Sequence, residues 1–361
     1  MTVVMPKAER MQHTSDALDH VRNRVTEPVP RLLCLMVAIL ISCERYHDTH
    51  SGLYVVKQND KYGFINSNGE VIIEPQFDFA RDFSDGLAAV HCGQWGYIDP
   101  TGTLVIGPHF EEVGDFSDGL APAADTAWWS WGYIDKSGTF VVPQCFYSAE
   151  AFREGRAAVC GYGNDPWGMI NLQGQLVMDT SYAGVEEYSQ GLAAVWTGYR
   201  RCGFVDRDGR WVINPVFEHA LPFSEGLAAV WSDDKCGYIS QSGEYVISPQ
   251  FDGGGMFSEG LAFVGSGGKL GYIDRSGNYV INPRFDAADS FSEGRAAVGF
   301  GTWPHMKYGY IDKTGKLVID TAFIQASTFR GGLAAVWTGD SWPTRLGYID
   351  RGGNYIWTPT Q

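Results

Sequence analysis

The sequence lacks the short motifs that usually mark a catalytic or metal-binding site. It contains no Cys-x-x-Cys pair, no His-Glu-x-x-His segment, no Gly-x-Ser-x-Gly elbow and no P-loop. Five cysteines follow residue 43, and this odd number supports neither a zinc site nor a regular disulfide framework. The segment "GSGGKLG" (residues 265–271) lacks the Ser or Thr that follows the lysine of a phosphate loop. We therefore expect no cofactor, no metal and no catalytic residue.

Positive charge is also scarce. The chain has 27 Lys and Arg against 42 Asp and Glu, a formal net charge of −15. Such an acidic field repels phosphate backbones, so nucleic acid is not an expected partner. Hydrophobic residues make up 44% and aromatic residues 14% of the chain. This composition supports a substantial core and argues against disorder.

Long hydrophobic runs are limited to one, "RLLCLMVAILISC" (residues 31–43). Its roughly ten apolar residues are too few to cross a bilayer as a helix and suit a secretory signal. The ending "LISC" resembles the bacterial lipobox, which implies that Cys43 is lipidated and becomes the mature N-terminus. We expect a signal region at 1–43, a short tether at 44–50, and a chain secreted across the inner membrane and lipid-anchored in the bacterial cell envelope. The stretch before the run, some 30 residues, is unusually long; an uncleaved anchor, an interfacial helix and a cytoplasmic chain are the alternatives.

A sustained helical period is absent after residue 50, and a tandem repeat takes its place. The tetrad "GYID" or a close relative begins at Gly63, Gly96, Gly132, Gly168, Gly203, Gly237, Gly271, Gly309 and Gly347. A second marker, close to "FSEGLAAV", places its glycine at Gly86, Gly119, Gly155, Gly191, Gly226, Gly260, Gly294 and Gly332, with Gly52 in the same phase. Nine units of about 33–38 residues therefore tile residues 51–361.

The sequence pattern of each unit predicts three short strands joined by turns, so we expect an all-β fold. The strands correspond to "GLAAV", to the tetrad, and to a β-branched run that usually ends in Pro-x-Phe; one helical turn could precede "FSEG". Between the second and third strands, a short polar residue is followed three positions later by glycine, as in a tight turn. The Asp examples of this structural turn are Asp99/Gly102, Asp135/Gly138, Asp206/Gly209, Asp274/Gly277, Asp312/Gly315 and Asp350/Gly353.

These two markers in register resemble the WG-repeat family of bacterial proteins. The Trp-Gly pair that gives the family its name stands at residues 95–96, 131–132 and 167–168. The resemblance spans residues 51–361 and implies tandem β modules with no agreed catalytic activity. Units four and eight depart from the pattern, with "DTSY" and "DTAF" in place of Pro-x-Phe.

The repeat length bears on whether the array is open or closed. Propeller blades usually have four strands and 40–45 residues, and rings usually close at four to eight blades. Nine three-stranded units favour an open β superhelix, or solenoid, and a propeller-like ring is the alternative.

Polar residues that look catalytic recur in register, which indicates architecture rather than a site. The acids before the "GLAAV" glycine are Asp85, Asp118, Glu154, Glu225, Glu259 and Glu293, with Gln190 and Gly331 as substitutes. We interpret them as solvated turn residues, with a cation-binding ladder as the sharper alternative. Cys202 and Cys236 occupy equivalent positions and are expected to be buried; a disulfide between them is the alternative.

The residues that the repeat does not require are tryptophans in or beside the variable connectors that follow "GLAAV". They are Trp196, Trp231, Trp337, Trp128, Trp129, Trp303 and Trp342. Trp196 and Trp231 could form an aromatic strip for a sugar ring or a protein partner, although core packing would also explain them. We predict a monomeric, non-catalytic, envelope-associated scaffold that binds an unknown protein or cell-surface glycan. A structural spacer is one alternative, and a hydrolase using acids specific to single units, such as Glu111, Glu186 or Asp340, is another.

Overall fold

The computed structural model describes residues 51–361, except residues 126–129, 162–165, 199, 303, 340–343 and 359–361. These residues belong to one compact unit that spans residues 45–361. All regular secondary structure within the described ranges is β-strand, so the helical turn expected before "FSEG" is not found there. Among the same residues, no helix is long and apolar enough to cross a membrane.

The strands form nine antiparallel sheets, which we call blades 1 to 9 in chain order. Blade 1 contains β1 (Leu53–Gln58), β2 (Lys61–Asn66) and β3 (Val71–Phe77). Blades 2 to 5 contain β4 (Phe79–Ala80), β5 (Ala88–His91), β6 (Trp95–Ile98), β7 (Leu104–Phe110); β8 (Glu112–Val113), β9 (Ala121–Ala124), β10 (Trp131–Ile134), β11 (Phe140–Phe146); β12 (Ser148–Ala149), β13 (Arg156–Cys160), β14 (Trp167–Asn171), β15 (Leu176–Tyr182); and β16 (Gly184–Val185), β17 (Ala193–Gly198), β18 (Arg201–Val205), β19 (Trp211–Phe217). Blades 6 to 9 contain β20 (His219–Ala220), β21 (Leu227–Ser232), β22 (Lys235–Ser240), β23 (Tyr245–Phe251); β24 (Gly253–Gly254), β25 (Ala262–Ser266), β26 (Lys269–Ile273), β27 (Tyr279–Phe285); β28 (Ala287–Ala288), β29 (Ala296–Phe300), β30 (Lys307–Ile311), β31 (Leu317–Phe323); and β32 (Gln325–Ala326), β33 (Leu333–Thr338), β34 (Arg345–Asp350), β35 (Tyr355–Trp357).

Blades 2 to 9 have four strands rather than the predicted three, and this part of the prediction is wrong. The extra strand has two residues, such as Phe79–Ala80 or Gly253–Gly254, and pairs with the "GLAAV" strand that follows it. A two-residue strand carries no alternating pattern and no run of β-branched residues, so the sequence pattern does not reveal it. It also explains how a four-stranded blade fits into only 33–38 residues.

Blades 2 to 8 are wedges with the two-residue strand towards the centre of the ring and a seven-residue strand at the rim; blade 1 lacks the short strand, and the last strand of blade 9 has three residues. The "GLAAV" strand is buried on both faces, and β21 shows this along its first four residues. The last strand is exposed at most of its positions, and its side chains include exposed Ile72, Leu104 and Val216. This strand is bulged opposite the tetrad glycine. The backbone comes so close there that a Cβ at Gly271 would lie 2.4 Å from the Ile281 carbonyl oxygen.

The ring is closed, so the open superhelix is wrong and the alternative of a propeller-like ring is correct. Blade 9 packs against blade 1 through a buried cluster that includes Tyr54, Val56, Leu333 and Tyr348. The Tyr348 hydroxyl donates a hydrogen bond to the Val55 carbonyl at 2.8 Å. The architecture is a nine-bladed β-propeller. Because blade 9 packs on blade 1, no free end remains to extend into a solenoid.

We call the interfaces between consecutive blades seams, and all but the seam between blades 4 and 5, where Met169 packs with Tyr188, have an aromatic core. The tetrad Tyr of one blade meets the Phe of "FSEG" in the next blade; Tyr272 and Phe291 are 4.9 Å apart between ring centroids, in a T-shaped contact. The Tyr272 hydroxyl donates a hydrogen bond to the Asp289 carbonyl at 2.7 Å. Tyr348 and Tyr54 make the corresponding ring contact at the closing seam, with centroids 5.4 Å apart.

Candidate functional site

The two ends of the ring carry different loops. At one end lie the "FSEG" loops and the turns between the third and fourth strands; we call this end the latch face. At the other end lie the variable connectors between the second and third strands, together with the links between blades; we call it the connector face. Antiparallel strand order places the two sets of loops at opposite ends.

The recurring acids of the latch face join neighbouring blades. The Asp85 carboxylate accepts a hydrogen bond from the Gly119 amide of the next blade at 2.8 Å, and Glu259 does the same for the Gly294 amide at 3.0 Å. Gln190 performs this role with its side-chain oxygen, which accepts from the Gly226 amide at 2.8 Å. The acid is therefore an interblade latch rather than a solvated turn residue.

A cation from the next blade caps most of these acids. It is the residue that follows the tetrad, and its charged group lies within ion-pair distance of the acid's carboxylate. Lys136 Nζ lies 2.9 Å from an Asp85 carboxylate oxygen and 2.6 Å from the Asp85 carbonyl oxygen. The other pairs, with their nitrogen–oxygen distances, are Arg207 with Glu154 at 2.6 Å, Arg275 with Glu225 at 3.7 Å, Lys313 with Glu259 at 3.2 Å and Arg351 with Glu293 at 3.8 Å. A ladder of exogenous cations is thus unnecessary at these seams.

The turn residues singled out in the sequence organise the same face. Asp312 Oδ1 accepts hydrogen bonds from the amides of Thr314 and Lys316 at 2.9 and 3.1 Å, and Gly315 has a φ of +84°. The same hydrogen bonds, from the amides two and four residues later, are accepted by Asp99, Asp135, Asp206, Asp274 and Asp350. Positive φ angles are likewise found at the turn glycines Gly102, Gly138, Gly209, Gly277 and Gly353. The Thr314 hydroxyl and these amides hold the pKa of Asp312 below its usual value.

On the connector face, two of the predicted tryptophans meet a histidine that the sequence analysis missed. Trp196 of blade 5 and His219 of blade 6 have ring centroids 5.6 Å apart, and His219 and Trp231 have centroids 5.1 Å apart. We call these three residues the aromatic bridge. All three side chains are half-buried, and Trp196 also packs against the core. Burial lowers the pKa of His219, which favours its neutral form.

The other predicted tryptophans are placed differently. Trp337 is half-buried and lies between Gln325 and Leu346 in the sheet of blade 9. Trp128, Trp129, Trp303 and Trp342 lie outside the described residues, as does Cys43. The structure therefore brings together Trp196 and Trp231, and it does so through His219 rather than by direct stacking.

At one cross-strand position, the tryptophan stands on the tetrad strand in some blades and on the "GLAAV" strand in others. Trp95 pairs with His91, whereas Trp231 pairs with Cys236 across the same two strands. In blades 3 to 6 the residue opposite the tryptophan is small, as Ala124 is opposite Trp131, because one large ring fills the available volume. Cys202 and Cys236 are accordingly buried, each facing a tryptophan, and both thiols are free. This exchange was visible in the sequence as a reciprocal change of size at two positions.

A second aromatic cluster lies at blades 1 and 2 on the connector face. The Phe79 ring contacts Tyr62 and Trp95, with centroids 5.0 and 5.8 Å apart, and the Arg81 guanidinium lies 5.2 Å from the Trp95 ring centroid. Phe79 is 44% exposed although it belongs to an innermost strand. Sequence patterns missed this cluster because Phe79 sits in the two-residue strand.

The acids considered for a hydrolase do not share one end of the ring. Glu111 precedes the inner strand of blade 3, whereas Glu186 follows the inner strand of blade 5. Glu111 therefore lies towards the connector face and Glu186 towards the latch face. Asp340 lies outside the described residues. Within the described ranges, no group of three or more His, Cys, Asp or Glu side chains is arranged to hold a metal ion.

Solved structures share this fold with little sequence similarity. A eukaryotic initiation factor is 12% identical, with a TM-score of 0.61, over 86% of this chain and 97% of that chain. The dihydro-heme d1 dehydrogenase NirN, in complex with DHE, is 13% identical, with a TM-score of 0.50, over 88% of this chain and 75% of that one. Identities this low establish a shared architecture alone.

Among curated proteins, none matches the chain. The family described as "WG containing repeat" matches eight segments: residues 62–93, 95–124, 131–163, 167–195, 203–236, 237–269, 271–301 and 308–342. Each segment runs from the tetrad strand of one blade to the "GLAAV" strand of the next, and together they cover most of the chain, as the two sequence markers predicted. The chain therefore belongs to the WG containing repeat family.

Proposed function

We propose that the ring is a non-catalytic binding scaffold of the bacterial cell envelope, and that its connector face engages a protein or glycan partner. The aromatic bridge is the observation that carries this proposal. Its three rings span the seam between blades 5 and 6, at the end of the ring where loop sequences vary most. Half-buried aromatic side chains supply rigid contact area for sugar rings and for protein side chains.

The surroundings of the bridge support a defined binding surface. Arg200 in the connector of blade 5 contacts Glu218 at 2.8 Å and also contacts Asp234 in the connector of blade 6. Lys235 contacts Asp252 of the following link at 2.6 Å. These ion pairs tie neighbouring connectors together, so the rings are presented on a fixed frame. A fixed frame lowers the entropy that binding would otherwise cost.

Affinity capture from native envelope extract, repeated with Trp231→Ala, tests the proposal. Trp231→Ala should reduce recovery of the partner by about tenfold, because one large interface aromatic contributes ~1–2 kcal/mol or more. Trp337→Ala is the matched control, since it removes the same side chain from the equivalent position of blade 9, where no histidine bridges. Equal losses in both variants, with both still folded by circular dichroism, would contradict the assignment of the bridge.

A glycan array on the wild-type protein separates the two classes of partner. Binding to the array that Trp231→Ala abolishes assigns a glycan, and a blank array with successful protein capture assigns a protein. If neither assay detects a ligand, the structural spacer becomes the better interpretation. Envelope location is tested separately by Cys43→Ala, which should move the protein from the membrane fraction to the soluble fraction.

A further inference from the structure

The latch face contains one seam at which an acid has no matching cation. At the seams after blades 2, 4, 6, 7 and 8, an acid faces Lys or Arg. The seam after blade 5 pairs Gln190 with Gln241, whose amide nitrogen donates to the Gln190 carbonyl at 3.0 Å. The seams after blades 1 and 9 lack both charges, with Ser51 and Pro100 at one and Gly331 and Ser67 at the other. Asp118 alone breaks the rule, because Leu172 occupies the position of the cation.

Asp118 is consequently more open than its equivalents. Its carboxylate accepts a hydrogen bond from the Gly155 amide at 2.7 Å, as a latch requires. No Lys or Arg of the described ranges lies within ion-pair distance of it. Asp118 is exposed, whereas the capped acids, including Asp85 and Glu259, are half-buried. Leu172 instead packs beside the core of blade 4 and its neighbour.

A groove of about 460 Å³ extends from the seam between blades 2 and 3 to this seam, and its lining includes Asp85, Asp118, Lys136, Arg153 and Glu154. Each charged neighbour of Asp118 in the groove already has a partner of opposite charge.

Lys136 binds Asp85, Arg153 Nε lies 2.9 Å from a Glu187 oxygen, and Arg207 lies 2.6 Å from Glu154. The unbalanced charge of the groove is therefore the carboxylate of Asp118.

The equivalent seams show which group fits beside such an acid. Lys136 donates to both the carboxylate and the main-chain carbonyl of Asp85. Lys313 donates to the Glu259 carbonyl at 3.0 Å and forms an ion pair with the Glu259 carboxylate at 3.2 Å. Arg275 donates to the Glu225 carbonyl at 2.6 Å. Ammonium and guanidinium groups are thus both accepted. Asp118 offers the same pair of acceptors, held by the same latch to the next blade.

We propose that Asp118 is a docking site for a lysine or arginine side chain of a partner protein, which takes the place held by Lys136 or Lys313 at the equivalent seams. The groove is larger than one side chain and is lined by charges of both signs, as suits a peptide segment. Because the repeat region has many more acids than bases, a basic partner is also favoured at long range. This surface lies at the opposite end from the aromatic bridge and does not depend on it.

The test uses the full-length chain and a fluorescein-labelled tetra-arginine peptide, with tetra-citrulline as the neutral probe. Binding is measured by fluorescence anisotropy at physiological ionic strength. Asp118→Asn keeps an acceptor for the Gly155 amide but removes the charge, and it should weaken tetra-arginine binding about threefold. Leu172→Arg should weaken binding equally, because its guanidinium fills the place beside Asp118. Asp233→Asn, an exposed residue on the connector face, removes the same charge and should bind as wild type does.

Two outcomes would overturn the proposal. One is wild-type affinity in Asp118→Asn; the other is an equal loss in Asp118→Asn and Asp233→Asn, which would assign binding to overall charge. Leu172→Arg has a second readout that needs no peptide, the midpoint of its urea unfolding. This midpoint should rise, because the seam between blades 3 and 4 gains the acid–cation pair found at five other seams. If Leu172→Arg does not fold, Leu172→Lys repeats both measurements. The aromatic-bridge variants should leave tetra-arginine binding unchanged, so the two proposals fail independently.

Discussion

The seam between blades 7 and 8 and the seam between blades 9 and 1 join similar surfaces with different polar contacts. At seam 7/8, the Ser258 hydroxyl donates to the Phe291 carbonyl at 2.6 Å, and Glu259 accepts from the Gly294 amide and pairs with Lys313. At seam 9/1, Gly331 stands in the position of Glu259 and has no side chain to offer. The Tyr54 hydroxyl of blade 1 donates instead to the Gly331 carbonyl at 2.7 Å.

Both seams keep an aromatic contact and a turn glycine pressed against the preceding blade. Gly315 lies against Ile281 at seam 7/8, and Gly69 lies against Ile356 at seam 9/1. The turn glycine recurs at the other seams, and the aromatic contact recurs at all of them except seam 4/5, where Met169 packs with Tyr188. The latch is absent from two of the nine seams. Apolar and aromatic packing is therefore what the two seams share. The latch is an addition that other donors can replace.

The largest effect is expected from Gly69→Ala, which should destabilise the ring by about 3 kcal/mol. Gly69 has a φ of +81°, and its Cβ would lie 2.5 Å from the Ile356 carbonyl oxygen, so backbone must move at the closing seam. Urea unfolding measures the change. Gly86→Ala is the control for φ alone, because Gly86 has a φ of +87° and no atom within 4 Å of its Cβ; it should cost about 1 kcal/mol. Equal costs would contradict the proposed contact.

Removing one hydroxyl at each seam should have the next largest effect. Tyr348→Phe and Tyr272→Phe each leave a main-chain carbonyl without its partner, at a cost of about 1–2 kcal/mol. Phe64 and Phe204 show that the position tolerates Phe. Hydrogen exchange should distinguish the two variants, because seam 7/8 keeps its latch. Only Tyr348→Phe should raise exchange in both β1 and β33; a similar rise across seam 7/8 in Tyr272→Phe would argue against a weaker closing seam.

The sequence predicted what lies within one unit and missed what lies between units. The number of blades, their length, the all-β class and the turn at Asp312–Gly315 follow from patterns inside about 35 residues. Contacts across seams join residues much farther apart: Asp118 and Gly155 differ by 37 positions, and Tyr54 and Gly331 by 277. Closure depends on the angle between wedges, which no local pattern encodes.

The candidate site was predicted in part for the same reason. Trp196 and Trp231 were identified because they depart from the repeat. His219 was missed because it stands in an inner strand of two residues, where no pattern marks it. One signal was available but unused: the acid of one unit and the residue after the next tetrad change together, as Gln190 and Gln241 do.

The latch itself is tested at seam 7/8, where Glu259→Ala should cost about 1 kcal/mol. The substitution removes the acceptor for the Gly294 amide and the partner of Lys313. Glu259→Gln is the matched control, because it keeps an acceptor as Gln190 does, and it should lose less than half as much. Urea midpoints measure both variants. If Glu259→Gln lost as much as Glu259→Ala, the ion pair rather than the amide contact would hold the latch.

Installing a latch at seam 9/1 sharpens the comparison in the opposite direction. Gly331 has a φ of +57°, close to the +52° of Glu259, so Gly331→Glu can adopt the same loop. Combined with Ser67→Lys, it should recreate the capped acid of seam 7/8. In a double-mutant cycle, Ser67→Lys should stabilise the Gly331→Glu background by about 0.5 kcal/mol more than the wild-type background. A coupling energy of zero would show that the two blades do not meet there as blades 7 and 8 do.

The smallest expected effect concerns acid pH, because the two seams differ in the charge of their turns. Asp312 stands in the turn at seam 7/8, and Asn66, whose Oδ1 accepts from the Asn68 and Glu70 amides at 2.9 and 3.0 Å, stands at seam 9/1. Since the pKa of Asp312 is lowered in the folded protein, mainly by the Thr314 hydroxyl, its contribution is present above about pH 4 and is lost as pH falls further. Asp312→Asn should therefore reduce the loss of stability between neutral and acid pH, measured by urea midpoints, and Asn66→Asp should increase it. Unchanged pH profiles in both variants would show that the turn carboxylate gains nothing from its amides, and that Asn and Asp are equivalent at the two seams.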